Sequence, residues 1–166
     1  AMNKAQYLGK HDSLTGALNR QQVMEKLPLI IQKSESSQRN LAVFLLDIKR
    51  FKFVNDTYGL KVGDAILGEI ASRLDGSIFL PQVIGRLSGD SFVFVIDGVD
   101  EKQQVAAIDH LHGLINRAYY IKQHKVLLQC SIGYCLYPQD GMLAEDLLQK
   151  ANLALAQAES QNIAKV

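Results

Sequence analysis

At 166 residues, with 48% hydrophobic and 21% charged residues, the chain has the length and balance of one soluble globular domain. A formal net charge of +1 gives no general attraction to DNA, RNA or an anionic membrane, so any phosphate ligand must be held by a local site. The longest apolar stretch, Leu41 to Leu46, is closed by Asp47 and is far too short for a membrane span. The start, Ala1-Met2-Asn3-Lys4, leads into polar sequence rather than a signal peptide, so residues 1–10 read as a linker or tag remnant.

In chain order, Asp12-Ser13-Leu14-Thr15-Gly16 is turn-like. A helix is expected from about Asn19 to Ser34, kinked or split at Pro28, then a loop to Asn40. Leu41 to Ile48 is a continuous apolar run that suits a strand buried on both faces. Lys49 to Gly59 reads as a mixed connection. Gly63-Asp64 then opens an amphipathic helix in which Ile66, Ile70 and Leu74 recur every fourth residue. Val83–Leu87 and Phe92–Ile96 flank the turn Ser88–Ser91 as a β-hairpin. A helix over Glu101 to Ala118 places Val105, Ile108, Leu111 and Ile115 on one face, and a strand over Val126 to Tyr137 follows. A last helix runs from about Ala144 to Ser160. This order predicts an α+β fold: a ferredoxin-like, mostly antiparallel central sheet flanked by helices.

Cys130 and Cys135 stand an odd number of residues apart in that strand, hence on opposite faces. They read as reduced core thiols, with the cytosol as their compartment. His110 and His112 fall on different faces of a helix and His11 and His124 in loops, which gives no histidine metal site. Tyr119, Tyr120 and Tyr134 read as core or strand residues.

Two carboxylates draw attention. Asp47 ends the buried strand and Asp90 lies at the hairpin tip. If the two strands are neighbours, the carboxylates converge as in a Mg²⁺ site for phosphoryl transfer. The plainer alternative is that Asp47 caps a turn and Asp90 is only a turn residue.

Several segments together resemble the GGDEF domain of diguanylate cyclases. Asp12 to Arg20 is similar to the opening D-x-L-T-G-L-x-N-R, and Asp47 to Gly59 to D-x-D-x-F-K-x-x-N-D-x-x-G. Gly63-Asp64 follows at the family's spacing. Arg86-Leu87-Ser88-Gly89-Asp90-Ser91-Phe92 stands where R-x-G-G-D-E-F belongs, and Ser131-Ile132-Gly133 with Tyr137-Pro138 resembles S-I-G-x-x-x-x-P. The match covers residues 11–166 and implies a nucleotidyl-cyclase palm. By resemblance, Asp47 and Asp90 with the Ile48 carbonyl would hold Mg²⁺, and Asn55 and Asp64 would hydrogen-bond guanine. Phe51 and Lys52 would line the pocket near the phosphates. The resemblance also implies GTP as ligand and two domains facing each other, each 3′-OH attacking the other nucleotide's α-phosphate to form cyclic di-GMP.

The departures from the family pattern point one way. Ser91 replaces the signature glutamate, and loss of one acid–base group costs on the order of 10²–10⁴ in rate. Ser88 replaces a glycine where a Cβ would crowd a backbone requiring φ > 0. Lys49 replaces a common aspartate and sets a cation near the metal. Glu159 stands where a lysine usually meets the triphosphate, and Ile163 where a basic residue is common. Leu60 replaces a histidine. The family's product-inhibition pair R-x-x-D is replaced by Phe79-Leu80-Pro81-Gln82. With the guanine-side residues kept, Asp64 could instead cap a helix and Asn55 hold a turn. The sequence therefore predicts a degenerate, inactive GGDEF domain, with Mg²⁺ weak or absent. It would be a regulatory, GTP-binding or dimerisation module of a bacterial cyclic di-GMP signalling protein. A neighbouring EAL or sensor domain is expected, with no nucleic-acid or membrane contact by the domain itself. A cytoplasmic place is expected, within a parent that a membrane anchor could hold. The alternative is an active cyclase built on Asp47, Asp90, Asn55 and Asp64.

Overall fold

The computed structural model describes residues 3–164, the side chains of Leu8 and of 162–164 excepted. The chain runs α1 (Lys4–Lys10), α2 (Arg20–Ser37), β1 (Leu41–Ile48), α3 (Phe51–Tyr58), α4 (Leu60–Asp75), β2 (Pro81–Ser88) and β3 (Ser91–Asp97). It continues through α5 (Glu101–Ile115), β4 (Ala118–Ile121), β5 (His124–Leu127), β6 (Cys130–Tyr137) and α6 (Ala144–Ala164). Four strands form an antiparallel sheet in the order β2-β3-β1-β6, and β4 and β5 pair as a separate hairpin. The expected α+β class, with helices flanking an antiparallel sheet, is what forms.

Strand β1 lies inside the sheet and helices cover both of its faces, which accounts for its unbroken apolar run. Ala42, Phe44, Leu46 and Ile48 pack with Ile66, Ile70 and Leu74 of α4 and Leu111 and Ile115 of α5. Leu41, Val43 and Leu45 pack with Val23 and Leu27 of α2 and Leu147, Ala151 and Leu155 of α6. The alternation continues to the end of the strand, so Asp47 falls on the α6 face. The two cysteines divide as expected, Cys130 in the first core and Cys135 in the second, both free. Burial pushes each thiol up to about 12, so neither is a thiolate nucleophile at neutral pH.

Four elements differ from the expectation. Of the kink or split expected at Pro28, the split does not occur: Pro28 lies inside α2 on its exposed side, while Val23, Leu27, Ile30 and Ile31 bury the opposite stripe. The connection after β1 is a two-turn helix, α3, and α4 begins at Leu60, because Gly59 at φ +94° ends one helix and starts the next. Helix α5 stops at Ile115, and β4 follows. The single strand expected over Val126–Tyr137 divides into β5 and β6 around Leu128, which is buried in the α4–α5 core. Arg73 of α4 fixes this excursion by donating to the carbonyls of Leu114 (3.1 Å) and Ala118 (2.9 Å), with its guanidinium 3.7 Å from the centre of the buried Tyr119 ring. Tyr120, on the other face of that hairpin, is exposed. Among the described residues no helix is long and apolar enough to cross a membrane.

Candidate functional site

The site is assembled at the end of β1. Asp47 pairs with Ser91 of β3 on one side and with Ser131 of β6 on the other, so the three side chains share the face turned toward α6. Asp90 sits in the two-residue turn Gly89-Asp90, and its carbonyl accepts from the Ile48 N–H at 3.3 Å, tying the hairpin tip to the end of β1. The strong left-handed demand is at Gly89 (φ +41°). Ser88 is exposed and outside that region, so its backbone does not require φ > 0.

The turn is anchored from below. Arg86 Nε donates to the Gly89 carbonyl at 2.8 Å, and Arg86 Nη1 donates to both oxygens of Asp12 at 3.1 Å. Asp12 also accepts from the Thr15 N–H (2.9 Å) and hydroxyl (2.8 Å). Burial pushes the Asp12 carboxyl up, but these hydrogen bonds and the Arg86 charge outweigh it and hold the group below its usual value. The Asp12–Thr15 turn thus clamps the signature hairpin. The sequence showed both partners as motif letters but not that they bond.

Helix α6 approaches the sheet over Gly133, which lies against the backbone of Ala151 and Leu155. That close approach carries the next turn of α6, with Glu159, toward the Asp47 end of β1. Burial first raises the Glu159 pKa. The side-chain contact with Asp47 and the charges of Asp47 and Asp90 raise it further, against Lys49. Asp90 is also raised, by burial and by the Asp47 charge, with its own backbone and Arg86 opposing. The Lys49 charge acts on Glu159 and also depresses His112, which burial lowers first. Among the described residues no three histidine, cysteine, aspartate or glutamate side chains are arranged to enclose a metal ion.

The guanine-side residues lie where α3 meets α4. Phe51 is half-buried against the core, Lys52 is exposed, and Asn55 faces Gly63. A Cβ on Gly63 would collide with Asn55 Oδ1, and would stand 3.0 Å from its Cγ and 3.3 Å from Phe51 Cζ, so glycine is what lets the amide lie there. Asn55 Oδ1 is buried and has no hydrogen-bond partner. Asp64 is exposed and lies inside α4, whose N-cap is Gly59, so it does not cap the helix. Asn55 lies within α3 and its unpartnered oxygen holds no turn. Both structural alternatives for these residues therefore fail.

Where the family's product-inhibition pair would stand, the Phe79 ring packs on His110 at 5.4 Å between centroids, and His110 Nε2 lies 2.9 Å from Ser77 Oγ. Ile163 is outside the described side chains, and Leu60 is exposed at the start of α4. A separate cavity of about 390 Å³, lined by Thr15, Leu18, Lys26, Gly68, Ser72 and Gln82 among others, contains none of the nucleotide or metal candidates.

The hairpin, the carboxylate-bearing end of β1 and the α3–α4 cradle together define a nucleotide-cyclase type of domain. The chain belongs to the diguanylate cyclase GGDEF domain family, whose model matches residues 9–164. It is 35% identical over 154 residues to MucR of Pseudomonas aeruginosa, a bifunctional diguanylate cyclase/cyclic di-GMP phosphodiesterase, covering 93% of this chain and 22% of that protein. Among solved structures it resembles a sensory box/GGDEF family protein from Caulobacter crescentus (TM-score 0.85, 35% identity, 92% of this chain and 99% of that one). It also resembles the GGDEF domain of PA1120 (TpbB or YfiN) from Pseudomonas aeruginosa (TM-score 0.83, 29% identity, 91% and 89%). The chain spans about a fifth of the length of several curated relatives it matches, MucR among them.

Proposed function

We propose that this domain is a catalytically silent GGDEF module that keeps a guanine pocket and serves as a regulatory or dimerisation element of a cyclic di-GMP signalling protein in the cytosol. The observation that carries it is the surroundings of Asp47. The hairpin position opposite it is Ser91, which supplies no base, and the helix beside it offers the carboxyl of Glu159 where a cation would meet phosphate. Two carboxyls at that range repel or share a proton, and neither state favours a phosphate-bound metal.

The family uses Mg²⁺, and the residues here fit it poorly. Mg²⁺ is ordinarily held by one or two carboxylates together with substrate phosphates. Asp47 is engaged by Glu159, and the acidic side chain of the fourth signature position is missing. No catalytic step is therefore derived through the metal.

The pocket is supported by Asn55. A buried amide oxygen without a partner is costly, and it is kept beside a glycine that a larger residue could have replaced. With Oδ1 turned inward, the amide nitrogen is left to donate to guanine O6 or N7, and the Asp64 carboxylate can accept from N1–H and the 2-amino group. Residues 11–166 would form the module and residues 1–10 its lead-in. A phosphodiesterase or sensor neighbour fits the kind of relative named above.

The test is direct. The domain is incubated with GTP and Mg²⁺ and the products are separated by chromatography. No cyclic di-GMP is expected, and steady turnover would replace this reading with that of a slow cyclase resting on Asp47 and Asp90. Calorimetry should show guanine-specific heat that Asn55→Ala removes.

A further inference from the structure

The guanine pocket leaves open which guanine compound it takes, and the other end of the site addresses that. Asp47 lies on the sheet face turned toward α6, Asp90 is tied to the end of β1 through the Ile48 N–H, and Glu159 lies one turn beyond Leu155, whose backbone sits over Gly133. Glu159 feels the charges of both Asp47 and Asp90, which raise its pKa beyond the effect of burial. Beneath them Ser131, only 1% exposed and directly opposite Asp47 on the same face, has an Oγ with no hydrogen-bond partner. Two cations oppose this charge, Lys49 at Glu159 and Arg86 at Asp90, and Lys49 also acts on His112. This end of the site is therefore rich in acceptors and negative charge. Ionised phosphates bring more of both, and they have no proton to donate. Sugar hydroxyls are donors and suit carboxyl acceptors.

We propose that Glu159 inverts the ligand preference of the pocket, so that it takes guanine nucleosides and monophosphates over guanine di- and triphosphates. This rests on the guanine pocket proposed above and adds Glu159 as the residue that sets specificity. Arrival of α6 over Gly133 places the charge, and Asn55 with Asp64 supplies the base recognition. Each further phosphate adds negative charge near carboxyls that Lys49 and Arg86 only partly offset.

The experiment is a calorimetric or ligand-observed NMR titration of the 166-residue chain with guanosine, GMP, GDP and GTP, with adenosine as the base control. Each titration is run with chelator and with Mg²⁺. Affinity is expected to fall from guanosine to GTP by roughly tenfold or more, the scale of one or two screened charge–charge repulsions. Glu159→Lys should reverse the order, and Glu159→Gln, a milder change if the lysine variant fails to fold, should flatten it. GTP binding as tightly as guanosine or tighter in the unaltered chain overturns the inference. So does an order that both variants leave unchanged. If adenosine binds like guanosine, or nothing binds, the guanine pocket itself is wrong. A reversed phosphate order with guanine specificity intact removes only the role of Glu159.

Discussion

Gly133→Ala tests how α6 is held on the sheet. The added Cβ would meet the Leu155 nitrogen, the Ala151 carbonyl oxygen and the Leu155 Cα, all backbone atoms of the helix crossing above it. No side chain can rotate away, so α6 has to lift or slide. Overpacking of a tight core costs about 1–3 kcal/mol, and backbone obstruction belongs at the upper end. Against this, replacing a strand glycine returns about 0.5–1 kcal/mol through the unfolded chain. A net loss of about 2 kcal/mol remains, which in a 166-residue domain lowers the melting temperature by roughly 4–8 °C. Gly113→Ala is the control. It lies in α5 with nothing within 4 Å of its would-be Cβ, and it should gain up to about 1 kcal/mol from helix propensity. Both are read by thermal and urea unfolding. If Gly133→Ala melts within about 0.5 kcal/mol of the parent, the close approach of α6 is not a real constraint and the placement of Glu159 loses its basis.

Three further outcomes follow from the same geometry. Gly63→Ala should abolish guanine binding by displacing the Asn55 amide while leaving the melting temperature unchanged or slightly raised, since the obstacle is the end of a side chain and alanine favours the helix; retained binding with full affinity would remove Asn55 from the pocket. Ser91→Glu places a carboxylate directly across from Asp47, so it should cost about 0.2–1 kcal/mol and yield no cyclic di-GMP, whereas adding Glu159→Lys should recover the loss in a melt. Asp12→Asn should cost about 1–2 kcal/mol at neutral pH, a value already reduced for the partial exposure of the pair, 17% for Arg86 and 21% for Asp12. Because the folded Asp12 pKa lies below its usual 3.8, its contribution is complete above that value and is lost as pH falls through the folded one. The gap between parent and Asp12→Asn should therefore close in acid, and a gap that widens would contradict the clamp.

The fold was readable wherever burial imposed a period. The doubly buried β1, the hairpin and α4 each declared themselves by apolar spacing, and the order of elements followed from them. What stayed hidden depended on partners distant in sequence. Helix α3 looked like a connection because its buried side rests mainly on Val54, with Phe51 and Tyr58 only half-buried, while Phe53 is exposed. The β4–β5 hairpin was hidden because Arg73, far upstream, supplies the donors that its carbonyls accept. At the site, the letters Asp47, Asn55, Asp64 and Asp90 were visible, but the contacts that give them meaning were not. Gly63 read as a helix start, yet its role is to leave room for Asn55. Arg86 and Asp12 read as motif positions 74 residues apart, yet they form one ion pair.

Placing the departures in space also changes how they combine. In sequence, Ser91 and Glu159 look like two independent losses, one of a base and one of a phosphate-binding cation. In the structure both flank Asp47, Ser91 by strand register and Glu159 from the helix above. A glutamate at 91 beside Glu159 would set three carboxyls around one strand end, with Asp90 adding a fourth nearby. Serine at 91 avoids that crowding, so the two substitutions are compatible with each other in a way that neither is with the family's usual partner. The negative charge has in effect moved from the hairpin to the last helix. That move explains why repairing Ser91 alone should fail, since it restores a letter of the signature while increasing the repulsion that Glu159 already exerts. The guanine side proposed above draws on other elements. Gly63, Phe51 and Asn55 belong to α3 and α4, whereas the shifted charge lies on the β3 hairpin and α6.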